Sequence, residues 1–202
     1  PTAIQSRENR ETKDIKGLID DAKANKDKGT VANAGIVAAS HLCGMLCMSA
    51  IETPLVTVPY KGTGPAMTDL LGGQVDIMCD QTTNTTKQIQ GGTVKAYAVT
   101  TAKRLDVLPD VPTVAEEGLP KLEVGIWHGI YTPKGTPAEI NEKLSKSLQV
   151  ALKDKNVAAR FAELGTTPSP ESDATPAALK AKLESEIARW KPVIESAGQY
   201  AD

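Results

Sequence analysis

The chain has 202 residues, 40% hydrophobic and 24% charged, enough to bury one good core or two small ones. A formal net charge of -2 supplies no basic field for nucleic acid or anionic lipid, so an anion must be held by local groups. No apolar run approaches the ~20 residues of a membrane span, the longest candidate (42–51) being broken by Gly44 and Ser49.

The chain opens at Pro1 with no signal-like segment, which a mature or trimmed protein would have lost in any case. Three cysteines, an odd number, make no disulfide framework. Cys43 and Cys47 lie one helical turn apart among Leu, Met and Ala, and both, like Cys79, are expected as buried thiols. There is no CxxC and there are only two histidines, His41 and His128, so no metal and no cofactor are expected.

In chain order, residues 3–5 finish a strand, and 13–24 form an amphipathic helix with Ile15, Leu18, Ile19 and Ala22 on one face. Residues 30–33 make a short strand leading into Ala34 and Gly35. A helix over 38–48 follows, with Leu42, Leu46 and Cys47 inward. Leu55, Val56 and Val58 form the next strand, which meets the glycine loop 61–64. Pro65 then opens a short helix, where its missing N–H costs nothing, and Gly72 and Gly73 stop it. Val75, Ile77 and Met78 resume a buried strand ending at Asp80, and the polar run 81–86 reads as a hydroxyl-rich loop. A brief helix (87–91), a strand (94–100), a loop (110–112), a short helix (114–118) and a strand (124–132) complete this part.

Past Pro133 the pattern is all helix. Thr136-Pro137-Ala138-Glu139 reads as a capping box starting a helix that reaches Leu152. A second helix over 157–164 stops at Gly165. Thr175-Pro176 caps a third, in which Leu179, Leu183, Ile187, Trp190 and Ile194 recur at helical spacing and Pro192 should kink or shorten the end. Strands alternating with helices give an α/β fold with a parallel-dominated sheet covered on both faces, followed by helices.

Three long words stand in order: VPYKGTGPAMTDLLGGQVDIM at 58–78, AVTTAKR at 98–104 and LPDVPTVAEEGLP at 108–120. Through them the chain resembles the extracytoplasmic solute-binding proteins of tripartite tricarboxylate transporters, the TctC or Bug family. The match continues through Trp127 and residues 131–137 to the C-terminus. The resemblance implies a lobe like those of type II periplasmic binding proteins. Residues 1–126 would be the second α/β lobe, and 127–202 the crossover strand and C-terminal helices of an incomplete first lobe. On this expectation the chain begins just inside the second lobe, and apolar stripes of its terminal helices are left uncovered. Either the chain is a fragment, or partner chains form an oligomer through those helices.

In doubly wound sheets the first and third strands of a βαβαβ run are neighbours, and a crevice opens where strand order reverses. That rule makes 33–38 and 80–83 the pocket walls and puts the loop 61–64 farther out, as either a site loop or a structural turn. Gly35 allows a tight turn, and the helix beginning near Val37 or Ala38 points unpaired N–H groups and its positive end into the crevice. Such a terminus suits a carboxylate. The resemblance implies the same place for a ligand carboxylate, often with ordered water, on a glycine- and serine-rich loop before Ser-His-Leu. Ser40-His41-Leu42 is kept here, but Val37 and Ala38 stand where glycine and serine are common, which removes a hydroxyl and narrows the space.

Candidate ligand-binding residues are therefore Asn33, Ala34, Gly35, Ala38, Ser40, Asp80, Gln81, Thr82, Thr83 and Trp127. Asp80 has two open roles: accepting from a ligand amine or hydroxyl, or anchoring neighbouring backbone N–H groups. Trp127, where the resemblance implies the crossing between lobes, is read as an apolar cleft floor or as core. No catalytic residue is expected: Ser40 and His41 are adjacent and leave a helix about 100° apart, and no nucleophile elbow, phosphate loop or HExxH word is present.

The function so implied is a periplasmic solute-binding protein that delivers a small carboxylate to membrane transporter subunits, with no reaction and no nucleic acid partner. The alternative is the effector-sensing domain of a transcription regulator of the same fold type.

Overall fold

The computed structural model describes residues 1–25 and 28–197; residues 198–202 of the expected second segment lie outside these. Five strands, β1 (Thr2–Arg7), β2 (Thr30–Asn33), β3 (Val56–Pro59), β4 (Ile77–Gln81) and β5 (Val94–Val99), form one sheet in the order β3-β2-β4-β1-β5. β2 pairs parallel with both β3 and β4, and β1 is inserted antiparallel between β4 and β5. The central strand of the β2-β3-β4 run therefore lies outside its neighbours, as the crossover rule requires.

Helices α1 (Ile15–Ala24) and α2 (Ala39–Ala50) cover one face, burying Ile15, Leu18, Ala22, Cys43 and Cys47 against Ile4, Val31, Ile77 and Tyr97. Helices α3 (Thr63–Leu71) and α4 (Thr82–Gln90) cover the other, where Ala66, Met67 and Leu70 meet Ala32, Met78 and Val94. Alternation along β4 sends Ile77 and Cys79 to one face and Met78 to the other, which is the period-2 logic of a sheet covered on both sides.

The expected thiols at Cys43 and Cys79 are instead joined in a disulfide, leaving buried Cys47 as the free cysteine. The two are 36 residues apart in sequence, but α2 lies across β4 with Cα atoms 5.8 Å apart. Spacing along the chain carries no trace of that packing.

Four further expectations change. The polar run after Asp80 is the helix α4 rather than a loop. Its buried Thr85 and Thr86 hydroxyls donate to the carbonyls of Gln81 and Thr82, four residues back, so they can be interior without orphaned polar groups. Residues 124–132 form no strand: Val124 N–H donates to the Thr100 carbonyl, and the segment then runs on as irregular chain without a ladder partner. The expected helix over 114–118 is a turn. The capping box at Thr136 does not form, because the Thr136 hydroxyl donates to the Pro133 carbonyl and Pro137 takes the cap position.

The chain ends in α5 (Ala138–Leu152), α6 (Lys155–Glu163) and α7 (Pro176–Ala197), and α7 continues through Pro192. Thr175 Oγ1 accepts the Ala178 N–H and caps α7 as expected. Neither α5 nor α6 contains a buried residue, and Ile140, Leu144, Val150 and Ile187 are exposed. The α7 side chain of Trp190 packs against the α1/α2 core, which ties that helix to the sheet.

Candidate functional site

Parallel pairing of β3, β2 and β4 brings their carboxyl ends side by side, and each strand feeds a helix: α3, α2 and α4. Three helix amino termini thus meet at one end of the sheet. No side chain caps any of them, whereas Asp14 caps α1 and Asp154 caps α6. Helix starts carry unpaired N–H groups and about half a positive charge, so the convergence is an electropositive corner, to which the exposed Lys61 of the loop before α3 adds its charge.

Two of these starts share an internal anion. Asp80, 1% exposed, accepts the Gln81 N–H at 2.8 Å through Oδ1. Its Oδ2 accepts the Thr63 hydroxyl at 2.7 Å and the Asn84 amide at 3.3 Å. One carboxylate therefore sits between the first turn of α3 and the entry to α4. This is the anchoring role among the two considered for Asp80.

The loop before α2 is organised differently. Asn33 Oδ1 accepts the Gly35 N–H at 3.0 Å, Ser40 Oγ accepts the Ala34 N–H at 2.8 Å, and His41 Nδ1 accepts the Val37 N–H at 2.9 Å. The Ala38 N–H goes to the Gly35 carbonyl. Among the described residues, the amides of Ile36, Ala39 and Ser40 have no acceptor, and no acidic side chain occupies the first turn of α2. Asn33 itself is 1% exposed, and its Nδ2 has no partner. An orphaned buried donor of this kind costs about 1–3 kcal/mol, and native proteins leave few of them.

Backbone conformation fits the crowding of the loop. Gly35 has φ 133°, in the region that suits glycine. Val37 has φ 60°, where a β-branched residue is an outlier worth about 1–3 kcal/mol of strain. A glycine at 37 would sit there without that cost.

Not every candidate faces this corner. Ala34, Gly35 and Ala38 belong to the loop before α2 and Ser40 to its first turn, while Gln81 ends β4, the parallel neighbour of β2. Thr82 is fully buried and donates to the carbonyls of Pro1 and Gly165, while Thr83 is exposed on α4. Trp127 is half-buried in the irregular stretch after Val124.

The loop expected farther out is part of the corner. The Gly62 N–H donates to the Ala34 carbonyl, the Tyr60 N–H donates to the Asn33 carbonyl, and Thr63 reaches Asp80. Thr63 and Asn84 are thus site-adjacent residues that sequence reading missed. The Gly62-Thr63 pair, a glycine followed by a hydroxyl, was the available signal.

A cavity of about 540 Å3 lined by Arg7, Arg10, Lys28, Asp21 and Asp76 opens at the opposite end of the sheet. Arg10 is already neutralised there, by Asp21 and by Asp76 at 2.8 Å. No group of three or more His, Cys, Asp or Glu among the described residues is arranged to hold a metal ion, and no described helix is long and apolar enough to cross a membrane.

Comparison with known proteins agrees with this architecture. The profile of the TctC family, "Tripartite tricarboxylate transporter family receptor", matches residues 1–199. A UPF0065 protein of Agrobacterium vitis, from the TAR-I ttuE-ttuC' intergenic region, is 52% identical over 98% of this chain. The chain spans 58% of that relative's length. The solved periplasmic binding protein BugD superposes with a TM-score of 0.90 at 50% identity, over 98% of this chain and 66% of BugD. MatC of Rhodopseudomonas palustris, solved with bound malate, gives 0.90 at 35% identity, over 96% of this chain and 66% of MatC. A profile match over nearly every residue, joined to the β3-β2-β4-β1-β5 sheet, shows that the chain belongs to the TctC family of tripartite tricarboxylate transporter receptors.

Proposed function

We propose that this chain binds a small carboxylate, of the dicarboxylate size of malate, at the start of α2, as part of a periplasmic receptor that hands its ligand to membrane transporter subunits. The carrying observation is the unequal treatment of the three helix starts. Asp80 lies between α3 and α4, taking the Thr63 hydroxyl and the Gln81 N–H, while no acid stands at the start of α2. A guest carboxylate completes for α2 what Asp80 provides to its neighbours. Ala39 and Ser40 would donate to it, with Asn33 Nδ2 as a further donor once the loop or a bridging water reaches it.

The lobe division belongs to the same proposal. Residues 1–126 form one lobe, 127–202 carry the crossover and helices of another, and Trp127 stands where the two close on the ligand. The unburied faces of α5 and α6 support it, since such helices need a surface to cover.

A thermal-shift screen tests the proposal. A carboxylate at a hundred times its dissociation constant stabilises by about 2.7 kcal/mol, which is a rise of roughly 5–10 °C for a chain of this size. Malate and its analogues should raise the melting temperature and neutral sugars should not. The opposite pattern defeats the reading.

A further inference from the structure

His41 lies in the first turn of α2 with 1% of its surface exposed, and its Nδ1 takes the N–H of Val37, four residues earlier, at 2.9 Å. Val37 is the residue of this loop held at φ 60° against its own side-chain preference. A strained residue persists only where its surroundings over-determine it. Around Val37 the named restraints are this bond and the turn closed by the Ala38 N–H on the Gly35 carbonyl. Ser40, beside the histidine, holds Ala34 by the same kind of reach-back bond. The first turn of α2 thus grips the loop that precedes it at two points.

We propose that His41 is a positioning residue for the carboxylate site: its ring nitrogen holds Val37 left-handed and so fixes the geometry of the Ile36, Ala39 and Ser40 amides. Valine at 37 makes the histidine necessary, because glycine would adopt the same backbone unaided. The inference rests on the carboxylate reading above and adds a dependence between two side chains that touch no ligand.

The test uses the 202-residue chain and its His41→Phe, His41→Asn and Val37→Gly/His41→Phe variants, with malate as probe and backbone amide exchange measured without ligand. Phenylalanine keeps the bulk and loses the acceptor, so malate binding should weaken about tenfold, the cost of a part-buried donor left unpaired. Asparagine can offer Oδ1 close to the position of Nδ1 and should restore most of the affinity. Glycine at 37 should rescue the phenylalanine variant. In the ligand-free chain the Val37 amide should exchange slowly in the wild type and the asparagine variant, and fast in the phenylalanine variant.

A histidine that merely fills the core predicts equal loss for phenylalanine and asparagine and no rescue by glycine, and that result overturns the inference. So does a Val37 amide that exchanges fast in the wild type. A wild type that binds no malate while its exchange pattern holds defeats the functional reading instead, and leaves the grip of His41 on Val37 supported.

Discussion

Thr63 Oγ1 donates to Asp80 Oδ2 at 2.7 Å, joining the first residue of α3 to the buried carboxylate beside α4 across 17 positions of sequence. Because Asp80 also takes the Gln81 N–H, the acid is consumed in binding two helix starts to each other. Replacing it by asparagine should remove the charge that both termini use. A buried hydrogen bond to a charged group is worth about 1.5–3 kcal/mol, so Asp80→Asn should lower the unfolding free energy by about that amount in urea melts. Thr63→Ala removes one donor and should cost less. Equal stability of Asp80→Asn and the wild type contradicts the shared-anion account.

Val37→Gly should stabilise the chain. Relief of left-handed strain worth about 1–3 kcal/mol exceeds the added entropy of an unfolded glycine, about 0.5–1 kcal/mol. The net gain of about 1 kcal/mol corresponds to roughly 2–4 °C in melting temperature. A lower melting temperature would show that the isopropyl group contributes packing that outweighs the strain.

The disulfide makes a prediction in thiol chemistry. Denatured without reductant, the chain should show a single reactive thiol, that of Cys47, and not three. In the native chain Cys47 should stay silent at pH 8, because burial pushes its thiol up to about 11 and leaves almost no thiolate. Chain-entropy arithmetic for a separation of 36 residues gives about 3–4 kcal/mol. Reduction, or joint replacement of Cys43 and Cys79 by alanine, should therefore lower the urea midpoint, whereas Cys47→Ala should not reproduce that loss.

Acid sensitivity should come in part from Asp76. Burial alone would raise its carboxyl, but the Arg10 guanidinium and the Thr30 N–H and hydroxyl outweigh it and hold the group below its ordinary 3.8. A depressed acid contributes stability above its unfolded value, and that contribution disappears as pH falls through the folded one. Wild-type stability should therefore drop between pH 5 and the region below 3.8, and Asp76→Asn should show a shallower fall over the same range. Parallel curves for the two proteins would remove Asp76 from the acid response.

Much of the corner was legible because it depends on local chemistry. The Asn33-Ala34-Gly35 turn, the helix start at Ala38 and the placing of β2 beside β4 follow from turn residues and the crossover rule. What stayed hidden is non-local. Nothing in residues 2–7 tells that they run antiparallel between β4 and β5. The run 82–86 has weak helix formers; Asp80 takes the Gln81 N–H and the Pro1 carbonyl takes the Thr82 N–H at its start, and back-bonds satisfy the buried hydroxyls of Thr85 and Thr86. Residues 124–132 have strand-like composition, but a strand exists only where another one pairs with it, and after Val124 none does among the described residues.

The central claim, that the open amides of α2 receive a carboxylate, is tested most directly by following backbone amide resonances of the chain as malate is added. The account predicts saturable shifts concentrated at Ile36, Ala39 and Ser40, with little change at Arg7, Arg10 and Lys28 in the cavity at the far end of the sheet. Shifts confined to that far cavity, or none at the start of α2 under saturating malate, would contradict it.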